Sequence, residues 1–313
     1  MTKYRHRLPQ LGPAVFLTDG GLETTLIFHD GVDLPYFAAF DLLKNDDGQA
    51  MLRRYFDRYA GIAKARGTGL VLETPTWRAN PDWAGKLGYD ASALAAAHRR
   101  SVDLLLEVRR DHETAATPIV ISGNLGPRGD GYVAGKRMSA DEAADYHGAQ
   151  VATFGETDAD MIAAFTMNYV EEAIGVVRAA QAHAMPVAIS FTLETDGRLP
   201  SGMPLAEAIA ATDGATGGAP AYYMINCAHP THFDRIVRDD ARLRERVRGL
   251  RANASKRSHA ELDESADLDE GDPGELGAQY RALRAHLPNL TVVGGCCGTD
   301  HRHVDAVGAA LIA

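Results

Sequence analysis

The chain alternates eight short apolar segments with longer stretches of helical periodicity, and this alternation limits the folds that it can adopt. The short segments are bounded by glycine, proline or polar residues, as expected for strands. They are apolar on both faces, which is typical of parallel strands that helices cover on both sides. The predicted strands are residues 15–18, 69–73, 119–122, 161–165, 187–192, 222–226, 247–251 and 291–293.

Eight strand–helix units in 313 residues predict a (β/α)8 barrel in which the whole chain, 1–313, forms a single domain. A doubly wound open sheet is the structural alternative, and a glycine-rich phosphate-binding loop would favour it. The segment 123–129 has the glycines but not the dinucleotide-binding spacing, and Pro127 removes an amide donor. We therefore interpret this segment as a tight turn after the third strand.

The helical stretches carry recognisable start and stop signals. Apolar residues recur at helical spacing over 47–66, and Gly67 is a typical C-terminal stop. Ser139 and Glu142 have the spacing of a capping box. Asn168 is predicted to cap the helix after the fourth strand.

Composition excludes several classes of protein. The net charge of −10 argues against a nucleic-acid partner or an anionic membrane surface. No apolar run approaches the roughly 20 residues that cross a bilayer, and no apolar stretch of a signal peptide follows the basic N-terminus. Three cysteines, two of them adjacent, do not make a disulfide framework. We expect a cytoplasmic protein, a monomer or homodimer, whose partners are small molecules.

All three cysteines lie where a predicted strand ends. Cys227 follows the sixth strand, and Cys296 and Cys297 follow the eighth. Since active sites of barrels lie at the carboxyl ends of the strands, the three sulfurs can hold one zinc ion and leave its fourth position open, as in catalytic sites. The alternative is that the cysteines are buried small hydrophobic residues, which a Cys-Cys pair between glycines does not favour.

Other polar features near the strand ends have several interpretations. The long acidic segment 255–275 is either a functional lid or a solvent-exposed loop. His229 lies two residues after Cys227, but three thiolates already satisfy a zinc site. We expect His301 and His303, in the first turn of the last helix, to be exposed to solvent.

The chain resembles the zinc-dependent homocysteine S-methyltransferases over nearly its whole length. The matching motifs keep the family's order, and they are Thr-Asp-Gly-Gly-Leu-Glu-Thr at 18–24, Gly-Asn-Leu-Gly-Pro at 123–127, Ser-Phe-Thr at 190–192, Asp-Gly-Arg-Leu at 196–199, Asn-Cys at 226–227 and Gly-Gly-Cys-Cys-Gly at 294–298. The final cysteine motif is highly specific.

The resemblance implies a (β/α)8 barrel in which three cysteines bind zinc and the sulfur of homocysteine takes the fourth position. The implied metal ligands are Cys227, Cys296 and Cys297. The family's first-strand aspartate, near the homocysteine amino group, matches Asp19 here, and its threonine after the second strand matches Thr74. The expected substrate-binding residues are Asp19, Gly20, Thr74, Phe165 and Asn226.

The chemistry of these residues agrees with methyl transfer. A free thiol has a pKa of about 8.5, whereas zinc deprotonates a bound thiol and leaves its sulfur nucleophilic. Such a thiolate can attack the methyl group of a sulfonium or quaternary ammonium donor, a cation that aromatic faces hold well. Aromatic residues in or near the first two loops are Tyr36, Phe37, Phe40, Trp77 and Trp83.

Because the chain ends just after the eighth unit, we expect a small, freely diffusing donor such as S-methylmethionine.

One position departs from the family. After the fourth strand the family usually has a Glu-Thr pair whose glutamate contacts the homocysteine amino group, but this chain has Phe165 and Thr166. An ammonium without an anionic partner in a desolvated site costs on the order of several kcal/mol, so Asp19 or Glu73 would have to substitute. We therefore expect weak use of homocysteine, or a preference for a thiol without a free α-amino group. A zinc- or thiol-binding barrel without turnover is the non-enzymatic alternative.

Overall fold

A computed structural model describes residues 2–265 and 267–312. Eight parallel strands form one closed barrel, in which each strand pairs with its neighbours in chain order and the first pairs with the eighth. The strands are β1 (Phe16–Leu17), β2 (Gly69–Glu73), β3 (Ile119–Leu125), β4 (Met161–Met167), β5 (Val187–Thr192), β6 (Tyr222–Asn226), β7 (Val247–Ala252) and β8 (Val292–Gly295). The predicted (β/α)8 barrel is therefore confirmed, and the open sheet is excluded.

Helices surround the barrel and bury an apolar face against it. The α-helices are α1 (Leu22–Thr24), α2 (Asp46–Arg66), α3 (Pro81–Lys86), α4 (Ala91–His112), α5 (Ala140–Gly155), α6 (Val170–Ala182), α7 (Leu205–Thr216), α8 (Pro230–Asp239), α9 (Ala241–Arg246), α10 (His259–Asp263), α11 (Pro273–Arg284) and α12 (His301–Ile312). Shorter helical turns comprise Pro9–Leu11, Thr25–His29, Pro35–Phe37 and Ala39–Lys44. Across the described ranges, no helix is both long enough and apolar enough to cross a bilayer.

Two of the three predicted helix signals are confirmed. Gly67 ends α2 with a φ of 63°, a conformation that favours glycine. Ser139 and Glu142 form the predicted capping box of α5. The prediction for Asn168 is wrong, because its side chain does not cap α6 and instead donates a hydrogen bond to the Asp130 carbonyl at 2.8 Å.

The first three residues of the segment 123–129 continue β3, so the chain leaves the strand after Leu125 and not, as predicted, directly after residue 122. β3 extends to Leu125, and Gly123 pairs with Ile162 of β4. A Cβ atom on Gly123 would lie 2.7 Å from the ring of Phe154. The glycine is therefore required for close packing of α5 on the barrel.

The N-terminal segment closes the lower end of the barrel. The backbone N–H groups of Lys3 and Tyr4 donate to Asp160 Oδ1 at 3.1 and 2.8 Å, and Arg109 forms an ion pair with the other oxygen at 2.7 Å. Leu8 packs into the apolar interior of the barrel, with Phe16, Val71, Val120, Met161, Ala163, Ala188, Tyr222, Met224 and Val292. Access to the interior is therefore from the opposite, carboxyl-terminal rim.

The upper layer of the interior is polar. Since alternate side chains of a strand point the same way, Glu73 and Arg251 lie above the inward positions Val71 and Gly249. Glu73 is 3% exposed, and neither of its carboxylate oxygens has a hydrogen-bond partner among the described residues. Burial raises the pKa of Glu73 from its ordinary 4.5 to about 8, although the nearby Arg251 opposes the shift.

Gly294 of β8 has no room for a side chain. A Cβ atom there would overlap the hydroxyl of Thr18 and lie 2.6 Å from the carbonyl oxygen of Asp19. We predict that Gly294→Ala lowers the free energy of unfolding by about 1–3 kcal/mol or more, as measured by urea denaturation. Gly148→Ala in α5 is the matched control, since no atom lies within 4 Å of its Cβ position, and it should be neutral or stabilising. Equal effects of both changes would contradict the close approach of β1 and β8.

Because of Glu73, the free energy of unfolding should fall as the pH rises. Its folded pKa of about 8 exceeds its ordinary 4.5, so the folded state binds more protons between these values and loses stability there. We predict that Glu73→Gln, which has the same shape and no charge, gains stability relative to wild type by up to about 1.4 kcal/mol per pH unit over this window. Denaturation from pH 5 to 8.5 measures the difference, and Glu156→Gln controls for the loss of an exposed charge. Parallel pH profiles for wild type and Glu73→Gln would refute the prediction.

Candidate functional site

The carboxyl-terminal rim of the barrel brings the three cysteine sulfurs together. Cys227 follows β6, Cys296 and Cys297 follow β8, and their Sγ atoms all lie within 4.8 Å of one another. Cys227 is buried and the other two are half-buried. The convergence that the sequence predicted is therefore present.

The sulfurs of Cys227 and Cys296 are joined as a disulfide, which the sequence analysis did not expect. The reason is geometric, because strand ends that converge on a common point also bring two sulfurs within bonding reach. Cys297 Sγ lies beside the pair. In reduced form the cluster offers three thiolates, a set of soft ligands that suits a metal ion.

Asn226 fixes the two strand ends next to the cluster. Its Oδ1 accepts from the Thr166 backbone N–H at 3.0 Å and from the Ser190 hydroxyl at 2.6 Å. Its Nδ2 donates to Thr166 Oγ1 at 2.9 Å and to Cys227 Sγ at 3.2 Å. Thr166 and Cys227 both have a positive φ, 61° and 52°, which costs energy in residues other than glycine. Asn226 thus holds a strained backbone in place and favours negative charge on the Cys227 sulfur.

Tyr132, in the loop after β3, is a rim residue that sequence reasoning missed. Its hydroxyl lies 3.6 Å from Cys227 Sγ and 3.5 Å from Cys297 Sγ. Its ring stacks on His259 with centroids 4.1 Å apart. His259 begins α10 inside the segment 255–275, so this part of the segment lies against the rim. A tyrosine in a glycine-rich loop gives no sequence signal for this contact.

Asp19 is paired with an arginine that sequence reasoning also missed. Its Oδ1 lies 2.6 Å from Arg251 Nη2, and its Oδ2 accepts from the Tyr55 hydroxyl at 3.0 Å. Arg251 Nη2 also donates to the carbonyl of Gly20 at 3.0 Å. The guanidinium lies 5.2 Å from the centre of the Phe165 ring. The position that the family resemblance assigns to the substrate ammonium is therefore next to a protein cation.

The hydroxyl of Thr74 already forms hydrogen bonds within the protein. Its Oγ1 accepts from the Asn124 backbone N–H at 2.8 Å and lies 2.6 Å from Thr76 Oγ1. The side chain is 1% exposed. These contacts tie the end of β2 to β3 beneath the rim.

The aromatic residues of the first two loops have three different environments. Phe40 is fully buried and packs on Tyr89, with ring centroids 5.1 Å apart, so it belongs to the core. Tyr36 and Phe37 are exposed. The rings of Trp77 and Trp83 lie 4.1 and 4.0 Å from the guanidinium carbon of Arg78. The two tryptophans therefore already hold a cation that belongs to the protein.

The histidines lie outside the cysteine cluster. His229 is the N-cap of α8, which agrees with the low weight given to it as a ligand. The predicted exposure of His303 is wrong, since it is 1% exposed and its Nε2 lies 2.8 Å from the Glu270 carbonyl. Glu270 belongs to the segment 255–275, which covers this histidine. His301 is half-buried.

Comparison with known proteins places the barrel in a family. Residues 16–311 match the family model described as homocysteine S-methyltransferase. The fold is similar to the homocysteine methyltransferase MmuM from Escherichia coli in its oxidized form, with 20% identity, 96% of this chain and 97% of that chain covered, and a TM-score of 0.76. The metallated form of MmuM gives 18% identity, coverage of 94% and 96%, and a TM-score of 0.73.

The two comparisons carry different weight. At identities of 18–20% the likeness to MmuM shows the shared fold. Comparison with curated protein sequences gives no significant match. The family model, by contrast, covers nearly the whole chain and includes all three cysteines. This chain is therefore a methyltransferase and belongs to the homocysteine S-methyltransferase family.

Proposed function

We propose that this protein is a zinc-dependent enzyme that moves a methyl group from a small cationic donor, such as S-methylmethionine, to the thiol of homocysteine. The C–S bond of the donor breaks with its electron pair going to the leaving sulfur, and the acceptor thiolate forms the new S–C bond. The observation that carries the proposal is the convergence of three cysteine sulfurs at the open rim of the barrel. Family membership supports the reaction class.

The donor set fits a zinc ion. A tetrahedral site with Zn–S distances of about 2.3 Å needs sulfurs about 3.8 Å apart, and the three Sγ atoms lie within 4.8 Å of one another. Cys227, Cys296 and Cys297 would hold the ion as thiolates. Zinc would supply deprotonation of the acceptor thiol without loss of its nucleophilicity. The disulfide and the metal site use the same sulfurs, so the zinc-binding form is the reduced one.

The protein's own groups position the reaction and need not transfer a proton. Asn226 Nδ2 donates to Cys227 Sγ at 3.2 Å, which orients that ligand. The Tyr132 hydroxyl, 3.5 Å from Cys297 Sγ, and the His259 ring stacked on it limit access of water to the cluster. Asp19 is held by Arg251, so we assign it a role in charge balance and orientation.

One alternative acceptor has a structural argument in its favour. Phe165 offers no charge to an ammonium group, and Asp19 is already paired with Arg251 at 2.6 Å. A thiol without an α-amino group, such as 4-mercaptobutanoate, would avoid an unpaired ammonium in this part of the site. This alternative keeps the same zinc site and the same reaction.

Zinc should be needed for activity and not for folding. We predict one zinc ion per chain in reduced protein by metal analysis, and its loss in the double variant Cys296→Ser, Cys297→Ser. Chelation should abolish transfer of a labelled methyl group from a panel of sulfonium and ammonium donors. The far-ultraviolet circular dichroism should barely change, because the cluster lies at the rim and not in the core. Full zinc content in the double variant would exclude these ligands, and zinc binding without transfer from any donor would favour a non-catalytic barrel.

The acceptor can be identified by comparing two thiols that differ only in the amino group. If homocysteine is the acceptor, kcat/KM for it should exceed that for 4-mercaptobutanoate by about tenfold or more in wild type, as a charge-assisted contact to its ammonium would require. The absence of an anion at Phe165 predicts instead that homocysteine is used weakly. The reverse preference, moved towards homocysteine by Phe165→Glu, would establish the alternative acceptor.

A further inference from the structure

The loop 126–132, which follows β3, is held on one side by side chains of the preceding βα unit. Asn80 Nδ2 donates a hydrogen bond to the carbonyl of Pro127 at 3.0 Å. Arg78 Nη1 donates to the carbonyl of Gly129 at 3.1 Å. Both donors belong to residues that are buried. This edge of the loop is therefore fixed through its own backbone carbonyls.

Side chains of the following βα unit hold the other edge of the same loop. Asn168 Nδ2 donates to the carbonyl of Asp130 at 2.8 Å. Glu172 Oε1, on α6, accepts from the backbone N–H of Arg128 at 2.7 Å. This oxygen also lies 3.0 Å from Nε2 of His147, and both side chains are buried. The carboxylate that holds the loop is thus itself held by a second contact.

The carboxylate of Asp130 fixes the backbone of Tyr132. Its Oδ1 accepts from the N–H of Tyr132 at 2.7 Å and from the N–H of Val133 at 3.1 Å, a local turn that aspartate favours. The ring of Tyr132 stacks on His259, with centroids 4.1 Å apart and an angle of 26° between the planes. Since the backbone and the ring are both constrained, the hydroxyl is directed to a defined place.

That place is beside two cysteine sulfurs. The Tyr132 hydroxyl lies 3.6 Å from Cys227 Sγ and 3.5 Å from Cys297 Sγ, and its single proton can be donated to one of them at a time. In the reduced cluster the sulfurs are thiolates, and hydrogen bonds to ionised acceptors are about twice as strong as neutral ones. Asn226 Nδ2 already donates to Cys227 Sγ at 3.2 Å. Cys297 is therefore the sulfur that gains more from the tyrosine proton.

We propose that Tyr132 is a positioning residue of the metal centre, whose hydroxyl donates a hydrogen bond to the Cys297 thiolate while the contacts around the loop 126–132 hold it there. The inference rests on the proposed function and deepens it, because Cys227 and Cys297 each receive a donor, Asn226 and Tyr132. Groups that bond to metal ligands orient them, and their loss typically lowers metal affinity about 10–100-fold. Exclusion of water needs only the tyrosine ring, whereas this role needs the hydroxyl.

Binding of cobalt(II) to the reduced protein tests the proposal without any need for turnover. The charge-transfer band from thiolate to cobalt reports how tightly the sulfur electrons are held. Tyr132→Phe removes the hydroxyl and keeps the ring that stacks on His259. We expect this variant to bind cobalt about tenfold more weakly than wild type, with the band moved to lower energy because the sulfur electrons are held less tightly. Equal affinity and an unmoved band would overturn the proposal.

Tyr223→Phe is the matched control. Tyr223 is fully buried, and its hydroxyl donates to Asp213 Oδ1 of α7 at 2.7 Å, on the outer side of the barrel. The variant therefore loses one buried tyrosine hydrogen bond away from the sulfurs. It should leave the cobalt affinity and the band unchanged. A shift as large as that of Tyr132→Phe would show a general effect of lost stability and would contradict the assignment.

Two changes at Asp130 test whether the loop positions the hydroxyl. Asp130→Ala removes the acceptor of the Tyr132 N–H and should weaken cobalt binding and move the band as Tyr132→Phe does. Asp130→Asn keeps Oδ1 as an acceptor and should restore wild-type behaviour. Because Asp130 acts through the hydroxyl, Asp130→Ala should add nothing in the Tyr132→Phe background, whereas additive losses would refute this positioning role.

The outcomes also separate this inference from the proposed reaction. A moved band in Tyr132→Phe, in a protein that transfers no methyl group, would uphold the hydrogen bond and refute the reaction. Methyl transfer by wild type together with an unmoved band in the variant would do the reverse. A reduced wild-type protein that binds no cobalt through its cysteines would refute both.

Discussion

Closure of the sheet by pairing of β1 with β8 is the constraint on which the site depends. The pairing brings the end of β8 against the end of β1, so closely that Gly294 and Gly295 have no space for side chains beside Thr18 and Thr299. The two cysteines that follow β8 are thereby held at the rim, near Cys227, which follows β6. An open sheet would place β8 far from β1, and this rim would not form.

Charge balance at the rim follows from the same closure. Arg251 of β7 reaches Asp19 at the end of β1 and the carbonyl of Gly20, contacts that exist only because the strands enclose a common interior. Beneath the rim, Glu73 lacks a hydrogen-bond partner among the described residues and has a raised pKa. Two acids on neighbouring strands therefore have different environments, because Asp19 is paired with a cation and Glu73 has no hydrogen-bond partner among the described residues. Such differences in environment are how similar side chains acquire different roles.

Sequence reasoning identified the fold and the convergence of the three cysteine sulfurs because both depend on local patterns. Apolar runs located the strands, and cysteines at strand ends must meet at one rim of any barrel. It failed where side chains from distant elements meet. Nothing local distinguishes Arg251 or Tyr132 from surface residues, and the burial of His303 depends on the segment 255–275 folding back over α12. The length of β3 was misjudged because Gly123 was interpreted as a turn residue, whereas it accommodates Phe154 of α5.

The N-terminal segment closes the lower end of the barrel, so the interior opens at the carboxyl-terminal rim. Tyr4 and Leu8 close its floor through Asp160 and the apolar interior, so donor, acceptor and both products must share one passage. His259 stacks on Tyr132, whose hydroxyl lies beside the cysteine sulfurs at this rim. Because both substrates and both products pass through the same opening, the order in which they bind and leave affects turnover. A product that stays bound blocks binding of the next substrate.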